Sequence, residues 1–379
     1  MPTKVLNILS FPESMLKRSP LHELHIELGA KFTEFCGYEM PLYYTSIIDE
    51  HLTVRRKVGL FDVSHMGNIV ITGKDATKLL SISTVEDASR IPPGAGQYTV
   101  ILKHDGTIID DTVFLHIDDS YYLVPNAGRD EVVTEWLRKV ADGYSLDVNI
   151  ENKSDGMAIF AVQGPKSREV LRKITEFDVS QLKLFGCAKN VFDDVECIIS
   201  RTGYTGELGY ELQMDTSQDV ISLFRKILDA GKDFGIKPIG LGARDSLRLE
   251  KCFALAGNEF EGGRSPIEAN LSFIINWDHD FIGKDALLKQ KEEGVKERLT
   301  YLRCIEKGIP RHGDAVEKDG VKIGKVSSGG LSPCLNTGIA MAYVKVEYRK
   351  VGDTVEVVSR GNRRIKAEIV KPPFVGREC

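Results

Sequence analysis

Apolar residues recur along this chain with two different periods, and the change from one to the other divides it. In the first part, helical spacing alternates with short strand-like runs. Leu21, Leu24 and Leu28 share one helical face behind Ser19-Pro20, and Gly29 supplies a stop. Ser46 with Asp49 resembles a capping box and opens a helix through Ile48, Leu52, Arg55 and Val58, ending at Gly59. Helical spacing returns at Val132, Val133, Trp136, Leu137 and Val140, again from Arg168 to Ile174, and again behind Gly240. Between these lie strand-like runs at 31–36, 157–162 and 195–200. The stretch from Gly94 to Gly128 predicts a meander: Tyr98 to Leu102, a turn at His104-Asp105-Gly106, an alternating run from Thr107 to Ile117, and a third strand. From Arg298 onward the helical period vanishes. Runs at 299–305, 315–317, 321–326, 338–344 and 354–358 are separated by turn residues, as in a small barrel or sandwich. The pattern therefore predicts an α+β protein, with two α+β lobes over residues 19–283, a linker helix at 284–297 rich in lysine and glutamate, and a β domain at 298–379.

Three stretches carry candidate chemistry. In the meander, Asp110 and Asp111 point to opposite faces, and Asp111 shares its face with Ile109, Val113 and Leu115. A carboxylate in an aliphatic row costs several kcal/mol unless something pairs with it; a ligand amine or amide is one such partner, a backbone amide another. In Arg201-Thr202-Gly203-Tyr204-Thr205-Gly206-Glu207-Leu208-Gly209-Tyr210-Glu211, three glycines in seven residues predict a tight loop with exposed amides, without the ending of a phosphate loop. Tyr204 and Glu211 bracket it and offer a planar face and a carboxylate, which suit an aminopyrimidine edge; a glycine-rich hairpin with solvated acids fits equally. Arg244 and Arg248 fall on one helical face, where an arginine either clamps a ligand carboxylate or pairs with Asp245 or Glu250. Asp62, Ser64 and His65 lie too close in sequence for a nucleophile relay, whose members converge from separate elements. A turn with a satisfied histidine is expected there, with Met66 filling a gap or lining a pocket.

Composition narrows the classes. Hydrophobic residues at 42% and charged residues at 28% of 379 residues describe a soluble globular chain. A net charge of −5 offers no basic excess to displace phosphate counterions, which argues against nucleic acid as a partner. Seven scattered cysteines without a CxxC pair read as reduced thiols rather than a disulfide framework. Eight histidines form no HxxxH or HExxH pattern, so no metal is expected. No apolar run approaches the roughly 20 residues that span a bilayer. The first eighteen residues lack an apolar core and a cleavage site, and Pro12 and Glu13 interrupt any amphipathic presequence. A cytoplasmic protein is expected, with the mitochondrial matrix as the alternative.

Read together, the segments resemble the aminomethyltransferases of the glycine cleavage system, the T-proteins. The likeness rests on FxGYEMPLxY at Phe35 to Tyr44, GLFDVSHMG at Gly59 to Gly67, GxIxDD at Gly106 to Asp111, PNAG at Pro125 to Gly128 and VQGPKS at Val162 to Ser167. It continues through RTGYTGExGYE at Arg201 to Glu211, GLGARDSLRLE at Gly240 to Glu250, FIGKDAL at Phe281 to Leu287 and KPPF near the end. The resemblance implies a three-lobed fold with a C-terminal β-barrel around a central channel that holds tetrahydrofolate. It implies transfer of a one-carbon unit from the aminomethyl-lipoyl arm of the H-protein, giving methylene-tetrahydrofolate, ammonia and the dihydrolipoyl carrier. Position by position it makes Asp111 catalytic and Asp110 structural. It sets Glu211 on the pterin edge, Tyr204 and Tyr98 along the ring, Met66 on its face, Arg244 on the folate side of the channel, Arg377 at the glutamyl tail and Asn126 in the channel. Asn270-Leu271-Ser272-Phe273 departs from the family's usual GLGW. A folate-dependent demethylase of a small molecule, or a noncatalytic folate-binding module, on the same fold are the rival readings.

Overall fold

The computed structural model describes residues 16–359 and 361–376. Two compact units emerge. One comprises residues up to 76, 91–97 and 113–244; the other comprises 77–90, 98–112 and the chain from 245 on.

The first unit is built on a six-stranded sheet with the order Cys187–Phe192, Val195–Ser200, Gly209–Asp215, Met157–Gln163, Gly59–Asp62, Lys237–Ile239. Met157–Gln163 is central and almost wholly apolar, as a strand covered on both faces must be. Its register sets Ala161 opposite Glu211 on one side and Phe61 on the other. Leu60, Phe160, Val162, Tyr210 and Leu212 pack there against the helix Val220–Ala230, which buries Val220, Leu223, Phe224 and Ile227. Asp219 starts that helix by accepting a hydrogen bond from the Ser222 amide. A hairpin of Lys31–Phe35 and Tyr38–Tyr43 turns at Cys36 (φ 49°) and Gly37 (φ 82°), so consecutive left-handed residues make a tight turn.

The expected meander is present as Ala95–Leu102, Ile108–Ile117 and Ser120–Pro125, continued by Ile69–Thr72 and Asn149–Asn152. Of its residues, 98–112 belong to the second unit and 95–97 and 113–125 to the first. At the turn, Asp105 Oδ1 accepts from the amide and the hydroxyl of Thr107.

In the second unit, six strands close into a barrel in the order Glu297–Cys304, Thr337–Lys345, Val321–Ser332, Ala315–Lys318, Thr354–Ser359, Arg363–Val370. Leu302, Ala340, Ala342, Val344, Val355, Val357 and Ile369 fill it, one residue in two pointing inward. Register shifts at Val316/Glu317 and Val326/Ser328 help bend the sheet to closure. The barrel alternative of the sequence pattern is the one realised. A separate cluster of Val85, Val100, Leu102, Ile108, Phe260 and Leu287 covers the far half of the meander.

One expectation needs correction. Cys334 is disulfide-bonded, against the expectation of reduced thiols throughout, whereas Cys36, Cys187, Cys197, Cys252 and Cys304 are free. Cysteine spacing along a chain is blind to pairs that folding brings together. Arg377 lies outside the described residues. No described helix is long and apolar enough to cross a membrane.

Candidate functional site

The glycine-rich loop between Val195–Ser200 and Gly209–Asp215 is held from below by two side chains. Gln163, at the end of the central strand and 1% exposed, donates from Nε2 to Thr202 O (3.1 Å) and accepts from Thr205 Oγ1 at 2.9 Å. A Cβ on Gly203 or Gly209 would lie 2.0 or 2.3 Å from the Gln163 amide, so both glycines make room for that one side chain. Arg55, on the helix Ile47–Arg56, reaches the loop with a fully buried side chain, donating to Thr205 O (2.5 Å) and Glu207 Oε1 (2.9 Å). The loop is thereby fixed with Tyr204 between its two anchors.

Arg244 stacks on Tyr204, its guanidinium carbon 4.8 Å from the ring centroid. Burial makes Arg244 release its proton more readily than usual, while the Glu211 carboxylate and Tyr204 oppose that shift. Thr202 donates its hydroxyl to Glu211 Oε2, and Ser200 Oγ lies 2.6 Å from the Thr202 hydroxyl, which fixes the carboxylate's rotamer. A planar face, a cation and an oriented carboxylate thus stand together.

Arg244 owes its position to Glu50. The helix Leu241–Glu250 begins behind Gly240, whose carbonyl accepts from the Arg244 amide at 3.2 Å. Gly240's own amide donates to Glu50 Oε2 (2.8 Å), while Oε1 accepts from the amides of Tyr44 (2.6 Å) and Thr45 (2.9 Å). Burial raises the Glu50 carboxyl above the ordinary glutamate range against the pull of those three amides. A Cβ at Gly240 would stand 2.3 Å from Leu42 O, so the helix start abuts the FxGYEMPLxY strand directly.

The Asp62-Val63-Ser64-His65-Met66 stretch separates into two environments. Asp62 Oδ1 accepts from Ser64 N (2.9 Å) and Ser64 Oγ (2.6 Å); Oδ2 accepts from Ser19 and lies 2.8 Å from His25 Nε2, and His25 Nδ1 lies 2.9 Å from Tyr44 Oη. Burial drives the Asp62 carboxyl upward, but its bonds to His25, Ser19 and Ser64 outweigh that and hold it below the usual aspartate range. The histidine that pairs with Asp62 is thus His25, from a separate element. His65 turns away from it. It is 2% exposed, its ring meets Phe35 (centroids 5.5 Å) and Tyr38 (6.4 Å) edge-on, and neither ring nitrogen has a hydrogen-bond partner. Burial, then the nearby Arg244 charge, lowers its pKa to about 3. The expectation of a satisfied histidine is therefore wrong: aromatic edges surround the ring, and they offer its nitrogens no hydrogen bond. Met66 closes this turn through Met66 N to Val63 O at 3.0 Å. Next to it, Gly67 N donates to Pro125 O (2.9 Å), which joins the turn to the Pro125-Asn126-Ala127-Gly128 stretch, and Asn126 O accepts from Arg129 N at 3.0 Å.

In the second unit, the Tyr98 hydroxyl donates to Asp111 Oδ2 at 2.9 Å, from neighbouring strands of the meander. Asp111 is 9% exposed and Asp110 not at all, so both acids are buried, on opposite faces. Arg248 lies apart from Arg244: it is buried and pairs with Asp245 (2.8 Å) and Glu259 (3.2 Å). Of the residues that sequence reading singled out, the structure brings Tyr204, Glu211 and Arg244 into one cluster and Tyr98 and Asp111 into another. It adds Glu50, Arg55, Gln163 and Thr202; Gln163 and Thr202 lie inside glycine-containing segments, whereas nothing in the local sequence of Glu50 and Arg55 sets them beside this loop.

The family models of the GCVT N-terminal domain and of the glycine cleavage T-protein C-terminal barrel domain match residues 21–279 and 298–376. The chain is 45% identical over 362 residues to an aminomethyltransferase of Caldanaerobacter subterraneus subsp. tengcongensis, covering 95% of this chain and 96% of the relative. It is 45% identical over 369 residues to an aminomethyltransferase of Bacillus velezensis, covering 96% and 99%. A crystal structure of the glycine cleavage system aminomethyltransferase T from Bartonella henselae superposes with a TM-score of 0.88 at 31% identity, covering 95% of this chain and 98% of that one. With both domain models matched in order and full-length relatives at this identity, the chain belongs to the aminomethyltransferases of the glycine cleavage system, the T-protein family.

Proposed function

We propose that this aminomethyltransferase moves the one-carbon unit of an aminomethyl-lipoyl H-protein to tetrahydrofolate, yielding methylene-tetrahydrofolate, ammonia and the dihydrolipoyl carrier. Tetrahydrofolate supplies the nucleophilic nitrogens that accept the carbon. The observation that carries the reading is the stack of Arg244 on Tyr204 beside a Glu211 whose rotamer Thr202 fixes. A reduced pterin needs a planar face and a carboxylate for its aminopyrimidine donors, and Tyr204 and Glu211 offer both, with the Arg244 cation stacked on the same ring. In this reading Glu211 holds the pterin edge, Tyr204 and Tyr98 line the ring, Met66 meets its face and Asn126 lines the channel. Arg244 meets the folate side of the channel and Arg377 the glutamyl tail. Asp111 is the catalytic carboxylate. The Tyr98 hydroxyl on its Oδ2 helps to orient it, and in this role the carboxylate polarises the attacking folate amine and takes up the proton that the nitrogen releases on forming its bond to carbon. Bacterial relatives support a cytoplasmic site for the reaction.

The test is turnover with aminomethyl-loaded H-protein and tetrahydrofolate, following ammonia and methylene-tetrahydrofolate, for wild type beside Asp111→Asn. The variant is expected to lose about 10² to 10⁴ in turnover, the range of a positioned acid or base, while folate still binds. A wild type that binds folate but releases no ammonia from loaded H-protein would overturn the reaction assignment.

A further inference from the structure

His65 is a buried imidazole whose two nitrogens have no partner, although it sits one residue from Met66 and close enough to Arg244 to feel its charge. A polar group sealed from water without a hydrogen bond destabilises a fold, and such groups in native proteins call for a reason. Several features here bear on that reason. The ring is held neutral, so it presents one N–H donor and one lone-pair acceptor. Its cover is the tip of the Lys31–Phe35 and Tyr38–Tyr43 hairpin, whose Phe35 and Tyr38 rings meet it edge-on and are themselves only half-buried. That tip turns at Cys36 and Gly37 and approaches the Asn126 segment, where a Cβ on Gly128 would lie 3.7 Å from Cys36 Cβ. The orphaned nitrogens therefore lie behind a small aromatic cover, next to the Met66 turn and within reach of the Arg244 charge.

We propose that His65 is a further binding residue of the folate site, giving its donor and acceptor to the bound pteridine, directly or through one ordered water, when the Phe35 and Tyr38 rings turn aside. The inference rests on the tetrahydrofolate reading above. A pteridine carries adjacent donors and acceptors on its rim, the complement of a neutral imidazole. An imidazolium would instead be repelled by the Arg244 charge and could not accept.

The test compares wild type with His65→Phe, which keeps the ring and removes both nitrogens, and with His65→Gln, which keeps a donor and an acceptor. Tetrahydrofolate binding is measured anaerobically by calorimetry, and the ring nitrogens of wild type are followed by ¹⁵N chemical shift during the titration. The expected results are a roughly tenfold weaker Kd for His65→Phe, partial recovery in His65→Gln, and a ligand-dependent shift of at least one His65 nitrogen. The free His65→Phe protein should melt no lower than wild type, since it loses an unsatisfied group. The proposal is overturned if folate binds wild type while the His65 signals stay fixed, or if His65→Phe binds as tightly as wild type. Should either variant fail to fold, the wild-type ¹⁵N titration alone decides. If wild type binds no tetrahydrofolate, the folate reading itself falls and this inference with it.

Discussion

Glu50 is the sharpest place to test whether the folate cluster depends on a buried strut. Its carboxylate accepts the amides of Tyr44, Thr45 and Gly240, and Gly240 in turn accepts the Arg244 amide. Glu50→Ala strands three donors. Each buried, unpaired donor costs about 1–3 kcal/mol, and water entering the vacated space relieves part of it, so a loss of about 3–5 kcal/mol is expected. Glu50→Gln keeps the shape and one acceptor but turns an NH₂ group toward an N–H, so roughly 1–2 kcal/mol is expected. Because burial raises the folded pKa of this acid, its contribution to stability is greatest below the unfolded value near about 4.3 and is lost as pH rises through the folded value. The comparison therefore belongs at one fixed pH near neutrality. Urea unfolding gives the stability order, and folate calorimetry on the folded variants reads the position of Arg244. The strut is expected to weaken folate binding by tenfold or more in Glu50→Gln, a variant that still folds. An alanine variant within about 1 kcal/mol of wild type, or a glutamine variant that binds folate as wild type does, would refute the reasoning.

Other consequences follow from the same geometry. His65 is held to about 3 in the fold by burial and Arg244, with Asp62 acting against them, while the unfolded chain titrates near about 6.5. The unfolded state therefore binds more protons between those values, and wild type should lose up to about 1.4 kcal/mol per pH unit relative to His65→Phe as pH falls below 6.5, measured as the difference between their urea midpoints. Parallel pH profiles for the two proteins would contradict the buried neutral ring. Gly209→Ala would bring a methyl to 2.3 Å from the Gln163 amide and should cost about 2–3 kcal/mol while loosening the Tyr204 loop; adding Gln163→Ala should recover part of the loss. Strict additivity of the two changes would show that they do not meet. At the other acid, Asp62→Ala should cost about 3–5 kcal/mol, because it leaves His25 and the Ser64 amide buried without their acceptor, and thermal melting reads the loss directly.

How far these clusters were legible depends on the distance along the chain over which their parts meet. The meander could be read from alternation and a single Asp-Gly turn, because strand pairing across a tight turn is local, and the face shared by Ile109 and Asp111 followed from the period of two. The barrel could be narrowed only to barrel or sandwich, since closure depends on Glu297–Cys304 pairing with Arg363–Val370, a long-range choice. Asp62 invited a relay with its neighbour His65, yet its partner is His25, 37 positions away, and Arg55 reaches Thr205 across 150. The glycines of the 203–209 loop show the limit most clearly. Their spacing predicts a tight loop with exposed amides, but Gly203 and Gly209 instead admit the Gln163 side chain of the protein itself. A glycine in sequence says that something comes close; it does not say whose atoms come. In the folate reading the ligand is left to Tyr204 and to Glu211, whose Oε2 accepts from Thr202, and the glycines act one step back, by letting Gln163 hold the strand ends at a fixed separation.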